Sequence, residues 1–157
     1  MDDLAKDKIA LTSNLLQAGR QWRRVAEEAL AAHDISEACA APLVWVGRLG
    51  GGIRQVTLAG HVGIEGTSLV RLLDQLSASG LLTRKEDLED RRAKTIWLTE
   101  EGAKLAAQIE RVLAQVRDDM LADVSQADIE ATLRVFDAID RASAGEQLEP
   151  LPAKVAS

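Results

Sequence analysis

Residues 64–98, with the sequence IEGTSLVRLLDQLSASGLLTRKEDLEDRRAKTIWL, decide the fold, because within them a helical pattern gives way to strand-like runs. Residues 64–79 predict a helix, since at about 100° per residue their leucines share one arc of about 100° that can be buried. These leucines are Leu69, Leu72, Leu73 and Leu76. Gly80 stands where a glycine commonly ends a helix, so the next element begins after it.

Two strand-like runs, residues 81–85 and 95–98, flank a polar segment at residues 86–94. This arrangement is typical of a hairpin whose arm is exposed to solvent. Upstream, residues 53–55 predict a short strand and residues 57–62 predict a short helix. The order helix, turn, helix and hairpin is that of a winged helix-turn-helix.

Two further helices are predicted ahead of this unit. The apolar stripe of the first is Leu11, Leu15, Ala18, Trp22, Val25 and Ala29. The second opens at Ser36, an N-cap residue, and contains Pro42, which lacks a backbone donor and predicts a bend or a late start. The glycines at residues 50–52 end it, because three glycines in a row do not hold a helix.

Two amphipathic helices are also predicted after the hairpin. Thr99 caps the first, and its apolar stripe is Leu105, Ile109, Val112, Leu113, Val116 and Met120. Ser125 opens the second, and its apolar stripe is Ile129, Leu133, Phe136 and Ile139. Beyond Ser143, glycine, proline and small side chains predict a flexible tail over residues 144–157.

The predicted fold class is mainly α with a small β-hairpin wing, a winged helix-turn-helix flanked by N- and C-terminal dimerisation helices. Residues 1–32 are assigned to the N-terminal dimerisation helix, residues 33–98 to the DNA-binding domain and residues 99–143 to the C-terminal dimerisation helices. A winged unit of roughly 45 residues is too small to cover three amphipathic helices, so a second copy of the chain is the expected partner.

The composition restricts the class of protein. The chain has 157 residues, 46 % of them hydrophobic, which suits one compact domain with extensions. A single cysteine, Cys39, excludes an intramolecular disulfide and a Cys-rich zinc site. The polar first residues and the lack of a long apolar stretch predict a cytoplasmic protein without a signal peptide or membrane contact. With two histidines, no metal-ligand cluster and no phosphate loop, we expect no enzyme, metal or cofactor.

The net charge of −6 is unevenly distributed along the chain. Residues 1–54 and residues 55–98 each contain equal numbers of basic and acidic side chains, and the whole acidic excess lies in residues 99–157. An acidic total would normally argue against DNA binding. Because the predicted winged unit is locally neutral, its basic residues remain available for specific contacts.

One face of the helix predicted at residues 64–79 is polar. Thr67, Ser68, Arg71 and Gln75 share an arc opposite the leucines. Hydroxyl, guanidinium and amide groups can contact phosphates and base edges in a major groove. The predicted arm adds Arg91, Arg92 and Lys94, and an arginine on a thin arm suits a narrow minor groove.

Acidic residues of the arm have other predicted roles. Asp90 is expected to orient the wing by holding a neighbouring arginine in a forked ion pair. Glu86, Asp87 and Glu89 are expected to face solvent and to limit non-specific affinity for DNA.

The sequence of residues 56–102, VTLAGHVGIEGTSLVRLLDQLSASGLLTRKEDLEDRRAKTIWLTEEG, resembles the winged-helix region of the MarR family and, within it, the SlyA-like branch. The segments LVRLLDQL, GLLTR, DRRAK and LTEEG carry the resemblance, and the layout of the flanking helices extends it over nearly the whole chain. It implies a homodimeric bacterial transcription regulator, most commonly a repressor, on double-stranded DNA with a pseudo-palindromic operator.

The resemblance also implies roles for individual residues. It implies that the helix with Thr67, Ser68 and Arg71 enters the major groove and that Arg91 and Arg92 reach the minor groove. The terminal helices would form the dimer, and a small aromatic carboxylate or another phenolic ligand would relieve DNA binding.

Several assignments stay open at the level of sequence. Thr57 could cap its helix and contact a phosphate, and His61 could simply be exposed. Trp22 and Trp45 could line an effector pocket in which Arg23, or one of Arg20, Arg24 and Arg48, binds a carboxylate, although plain packing is the simpler reading for each.

Two alternative functions also remain open. One is a winged-helix adaptor that binds proteins instead of DNA. The other is a redox-sensing regulator that uses Cys39, although a packed, inert thiol is favoured because Cys39 falls among small apolar residues.

Overall fold

The computed structural model describes residues 2–143 and contains, in that range, six helices and a three-stranded sheet. The elements are α1 (Asp3–Ala31), α2 (Glu37–Arg48), β1 (Ile53–Arg54), α3 (Gln55–Val62), α4 (Gly66–Ala78), β2 (Leu82–Glu86), β3 (Lys94–Leu98), α5 (Glu100–Met120) and α6 (Gln126–Ser143). Within this range, residues 2–119 form one unit and residues 120–143 form a second. The predicted tail, residues 144–157, lies outside the described residues.

The sheet has the order β1-β3-β2 and is antiparallel throughout. In the hairpin, Leu82 pairs with Leu98 and Glu86 pairs with Lys94. β1 adds a third strand on the other edge of β3, with Ile53 opposite Ile96. The predicted wing is therefore confirmed, and β1 also joins it to the start of the helix-turn-helix.

The leucine face predicted for α4 is confirmed. Leu69, Leu73 and Leu76 are buried and Leu72 is half-buried. They pack in one core with apolar residues of α2, α3, α5 and the sheet, among them Leu43, Val46, Leu58, Leu82, Ile96 and Ile109. Burying a leucine stabilises the fold by about 2 kcal/mol, so this core holds the winged unit together.

The beginnings of α3 and α4 differ from the prediction. Arg54, in extended conformation, is the N-cap of α3, so the strand runs directly into the helix. Thr57 lies in the first turn of α3 and is not its cap, and that prediction is wrong. Gly63 has a φ of +73° and Glu65 is extended, so α4 begins at Gly66 instead of residue 64. Gly80, with a φ of +73°, follows α4 as predicted.

The helix α2 begins at Glu37 and continues through Pro42, so of the two predicted alternatives, a bend or a late start, the late start is wrong. Ser36 is its N-cap residue but makes no side-chain cap hydrogen bond. Pro42 is fully buried, and its apolar contacts offset the backbone hydrogen bond that the ring removes. The glycines at residues 50–52 all have positive φ, as the predicted helix end requires.

The start of α5 is fixed by the predicted cap, Thr99. Its Oγ1 accepts the backbone N–H of Gly102 at 3.0 Å and donates to the carbonyl of Gly80 at 2.6 Å. The backbone N–H of Thr99 also donates to the carbonyl of Leu81 at 3.1 Å. A Cβ atom on Gly102 would lie 1.9 Å from that carbonyl oxygen, so only glycine permits this approach.

Both ends of the described chain expose apolar side chains. In α1, Ala26 and Leu30 near the C-terminal end are buried, whereas its first half leaves Leu4, Ile9, Leu11 and Leu16 exposed. No residue of α6 is buried, although Asp128 donates its backbone N–H to Ser125 Oγ, the predicted cap, at 3.2 Å. Among the described helices, none combines the length and the hydropathy that a membrane span requires.

We predict that Gly102→Ala lowers the free energy of unfolding by about 2 kcal/mol or more, because a methyl group forces the backbones of α5 and Leu81 apart. Urea denaturation at one fixed protein concentration measures this change. The matched control is Gly60→Ala in α3, where a Cβ atom meets nothing within 4 Å and helix propensity improves. Equal stability of Gly102→Ala and the wild-type protein would contradict the prediction.

Candidate nucleic-acid interface

Among the described residues, the side chains on the polar face of α4 have no hydrogen-bond or ion-pair partner. Thr67, Ser68, Arg71 and Gln75 are all exposed. Within residues 2–143, the side chain of Arg71 makes no ion pair or hydrogen bond. Glu65 at the N-cap provides no side-chain acceptor, so the N–H groups of the first turn can meet an external anion. Side chains of these types on one solvated helix face can contact phosphates and base edges.

An ion pair fixes α4 against the hairpin. Arg84 Nη1 on β2 donates to Asp74 Oδ1 on α4 at 2.6 Å. Asp74 lies one position before Gln75, at the border of the polar face. The pair therefore links the polar helix face to the wing, and its exposure to solvent keeps its energy small.

The arm of the wing is a closed turn. The backbone N–H of Asp87 donates to the carbonyl of Ala93 at 3.1 Å, and the N–H of Ala93 donates to the carbonyl of Asp90 at 2.9 Å. Arg91 and Arg92 lie at its tip, are exposed, and have no ion-pair partner in the part of the chain that the structure describes. Lys94 is engaged, since its Nζ lies 3.5 Å from Glu86 Oε1.

The role predicted for Asp90 is wrong in its chemistry. Its Oδ1 accepts the backbone N–H of Arg92 at 3.0 Å, and no arginine side chain forms a fork with it among the described residues. An aspartate side chain is short, so in a tight turn it reaches the main chain two residues on more readily than a guanidinium. Asp90 thus stabilises the turn that presents the arginines.

Asp87 is the acidic residue of the wing that sequence reasoning missed. It was expected to face solvent, yet only 11 % of its side chain is exposed. Its Oδ2 accepts a hydrogen bond from Arg54 Nε at 2.7 Å, and its Oδ1 accepts the N–H groups of Glu89 at 2.8 Å and Asp90 at 3.3 Å. The hydrogen bond from Arg54, followed by that from Glu89, holds the pKa of Asp87 below its ordinary value.

A cavity of about 330 Å³ lies beside the winged unit, between α1, α2 and α5. It brings together the three predicted effector residues, Trp22, Arg23 and Trp45. Arg48 also lines it, whereas Arg20 and Arg24 do not. Arg117, which α5 contributes to the same wall, is not among the residues predicted for the site.

Two of the arginines at the cavity converge on one carboxylate. Arg48 Nε lies 2.5 Å from Glu110 Oε1, and Arg117 Nη2 lies 3.1 Å from Glu110 Oε2. The hydrogen bond from Arg48 is the main cause that holds the pKa of Glu110 below its ordinary value, and the one from Arg117 adds to it. Only Arg23 is loosely held, with Nε 4.0 Å from Glu37 Oε1.

The aromatic wall of the cavity continues into the helix-turn-helix. The guanidinium of Arg48 lies 5.2 Å from the ring centroid of Trp45. His61 on α3 stacks on the Trp45 ring, with 4.6 Å between centroids and 27° between planes. His61 is exposed, as the sequence suggested, and it also contacts Trp45, a residue that lines the cavity. Cys39 is a free thiol, half-buried against the core on α2, and the inert thiol favoured from the sequence and its redox-sensing alternative both stay untested predictions.

Comparison with known proteins identifies one family and many solved structures of similar fold. The model of the MarR family matches residues 42–94. The crystal structure of the transcriptional regulator PA3341 is 35 % identical, with a TM-score of 0.77, and the match covers 84 % of this chain and 96 % of that one.

Two more distant structures share the fold. A mutant of MarR from E. coli complexed with operator DNA is 21 % identical, with a TM-score of 0.69 and coverage of 88 % of this chain and 99 % of that one. NadR in complex with 4-hydroxyphenylacetate is 22 % identical, with a TM-score of 0.71 and coverage of 84 % and 91 %.

Proposed function

This chain belongs to the MarR family of transcriptional regulators, and we propose that it binds a pseudo-palindromic DNA operator as a homodimeric repressor. The polar face of α4 carries the proposal, because it presents hydroxyl, guanidinium and amide groups that have no partner within residues 2–143, beside a wing tipped by two arginines. We further propose that a small aromatic or phenolic ligand in the cavity relieves DNA binding.

In this proposal α4 enters the major groove. Arg71 contacts base edges or phosphate, and Thr67, Ser68 and Gln75 contact DNA on either side of it. Thr57, exposed in the first turn of α3, adds a phosphate contact. Arg91 and Arg92 at the tip of the wing reach the adjacent minor groove, and Lys94 at its base contributes positive charge near the backbone.

The second copy of the chain is proposed from the exposed apolar residues of the terminal helices. Ile129, Leu133, Phe136 and Ile139 recur on one side of α6, and each is at least 37 % exposed. The first half of α1 has a comparable apolar set. Exposed apolar surface of this extent favours association, and a two-fold dimer places two α4 helices about 34 Å apart, one turn of DNA.

The effector proposal depends on the composition of the cavity. Trp22 and Trp45 offer aromatic surface, and Arg23 has only a distant carboxylate partner at 4.0 Å. An aromatic ring with a carboxylate fits this pairing, since the ring can pack on indole and the carboxylate can accept from a guanidinium. The complex of NadR with 4-hydroxyphenylacetate supports this class of ligand.

We predict that Arg71→Ala weakens binding to a duplex that the wild-type protein selects from a randomised library by about tenfold or more, because each recognition helix loses a charged contact. Fluorescence anisotropy at several salt concentrations measures the affinity, and the wild-type affinity should fall steeply with salt as phosphate contacts release counterions. The control, Arg24→Ala, removes the same charge from α1, where Arg24 pairs with Glu28. A salt-independent affinity, as expected of an adaptor, or undiminished binding by Arg71→Ala would overturn the proposal.

We predict that Phe136→Asp converts the protein to a monomer at micromolar concentration, because it buries a charge in the proposed interface. Sedimentation velocity distinguishes the two states. Ala138→Asp, on the opposite side of α6 and also exposed, introduces the same charge and should leave the dimer intact. Equal behaviour of the two variants would argue against the α6 interface.

We predict that Arg23→Ala weakens the binding of 4-hydroxyphenylacetate or benzoate by about tenfold, because the carboxylate loses a charge-assisted hydrogen bond. Quenching of tryptophan fluorescence reports the binding, since Trp22 and Trp45 line the cavity. Arg24→Ala, one position along α1 and outside the cavity lining, should bind as the wild-type protein does. The same loss in both variants, or no quenching at millimolar ligand, would contradict the proposed site.

A further inference from the structure

We propose that Arg54 and Asp87 are positioning residues that hold the wing in the conformation in which its arginines meet DNA. The pair joins β1, at the start of the helix-turn-helix, to the first residue of the arm. It touches neither Arg91 nor Arg92, so any effect on DNA passes through the backbone of the turn. This inference rests on the proposed DNA-binding function and adds two residues to it.

Asp87 satisfies three donors at once. Oδ2 is held by Arg54 Nε at 2.7 Å, and Oδ1 accepts the backbone N–H groups of Glu89 at 2.8 Å and Asp90 at 3.3 Å. Those two N–H groups belong to the chain that leads directly into Arg91. The Asp87 side chain thus holds the first half of the arm in a turn and links that turn to β1.

The second half of the arm is closed by related hydrogen bonds. Asp90 Oδ1 accepts the N–H of Arg92 at 3.0 Å, and the carbonyl of Asp90 accepts the N–H of Ala93 at 2.9 Å. Since the backbone N–H of Asp90 donates to Asp87, the conformations of the two halves of the arm are coupled. A turn ordered in this way loses little conformational entropy when its arginines bind in a groove.

Arg54 is fixed in a position from which it can hold the arm. The backbone of Arg54 pairs with Thr95 in the sheet, and Arg54 is also the N-cap residue of α3. The hydrogen bond and the charge of Asp87 raise the pKa of Arg54. Although the Arg54 side chain is 47 % exposed, the Asp87 side chain is mostly covered, which distinguishes this pair from the open Lys94–Glu86 pair on the same hairpin.

Electrostatics and positioning make opposite predictions for one substitution. Asp87→Asn removes a negative charge from the DNA-facing arm and leaves Arg54 without its charged partner, so a purely electrostatic effect tightens DNA binding. If the carboxylate positions the wing, the same substitution weakens binding by about tenfold in the dimer, because two arms must be ordered on the DNA.

The matched control is Glu89→Gln, two residues away. It removes the same charge from the same arm, and within the described residues the Glu89 carboxylate makes no hydrogen bond or ion pair. Its backbone N–H, which Asp87 accepts, is unchanged. We expect Glu89→Gln to bind the selected duplex as tightly as the wild-type protein or more tightly.

A double-mutant cycle separates positioning from general damage to the fold. In a background of Arg91→Ala with Arg92→Ala, Asp87→Asn should change the affinity by less than about twofold, because the groups that it positions are gone. Arg54→Ala should weaken binding in the wild-type background, and Arg54→Lys should restore most of the affinity. Thermal melting of every variant records whether it remains folded.

Each outcome decides a different question. If the wild-type protein does not bind DNA, both the proposed function and this inference fail. If it binds and Asp87→Asn behaves as Glu89→Gln does, or if Asp87→Asn loses tenfold even without the wing arginines, the inference alone is overturned. If Asp87→Asn does not fold, the contrast between Arg54→Ala and Arg54→Lys decides, and equal affinity of those two variants overturns the inference.

Discussion

The approach of α5 to the start of the hairpin is the constraint on which the other parts of the first unit depend. Thr99 follows β3 directly, bonds to the end of α4 through its hydroxyl, and caps α5 with the same atom. Gly102 makes this possible, because any side chain at this position would clash with the carbonyl oxygen of Leu81. α5 then supplies Ile109 to the core and Arg117 to the cavity. The contacts of Thr99 and Gly102 therefore position α5 for both the winged unit and the cavity wall.

Some charged side chains of the winged unit form ion pairs with each other, and others have no partner among the described residues. Three of its acidic residues are partners of basic ones: Asp74 of Arg84, Glu86 of Lys94 and Asp87 of Arg54. The three arginines proposed to contact DNA have no such partner among residues 2–143. The negative total of the chain therefore says little about the field at the interface, since these three carboxylates are neutralised locally and the net acidic excess of the sequence lies in residues 99–157.

Periodicity predicted what depends on local spacing, and long-range contacts decided the rest. The buried face of α4, the turn at Gly80 and the caps at Thr99 and Ser125 follow from residue types a few positions apart. The short strand predicted at residues 53–55 is present, but its place in the sheet does not follow from local spacing, because Ile53 and Arg54 pair with a segment more than 40 residues later. Asp87 and Glu89 are both acidic residues of the same arm, and the contact that joins Asp87 to β1 comes from Arg54, 33 residues away in the sequence. For the cavity, Trp22 and Trp45 were predictable, whereas Arg117 depended on where α5 packs.

Order within the wing compensates for the lack of a basic field. A protein with a strongly positive surface can bind DNA first and adjust its contacts afterwards, because diffuse attraction to phosphates supplies the affinity. A locally neutral unit has little such attraction, so the entropy that its groups lose on binding takes a larger share of the interaction energy. Under the proposed function, hydrogen bonds that fix the arm before binding reduce that loss. In this proposal the carboxylates of Asp87 and Asp90 favour DNA binding in spite of their charge, because the hydrogen bonds that they accept order the turn that carries Arg91 and Arg92.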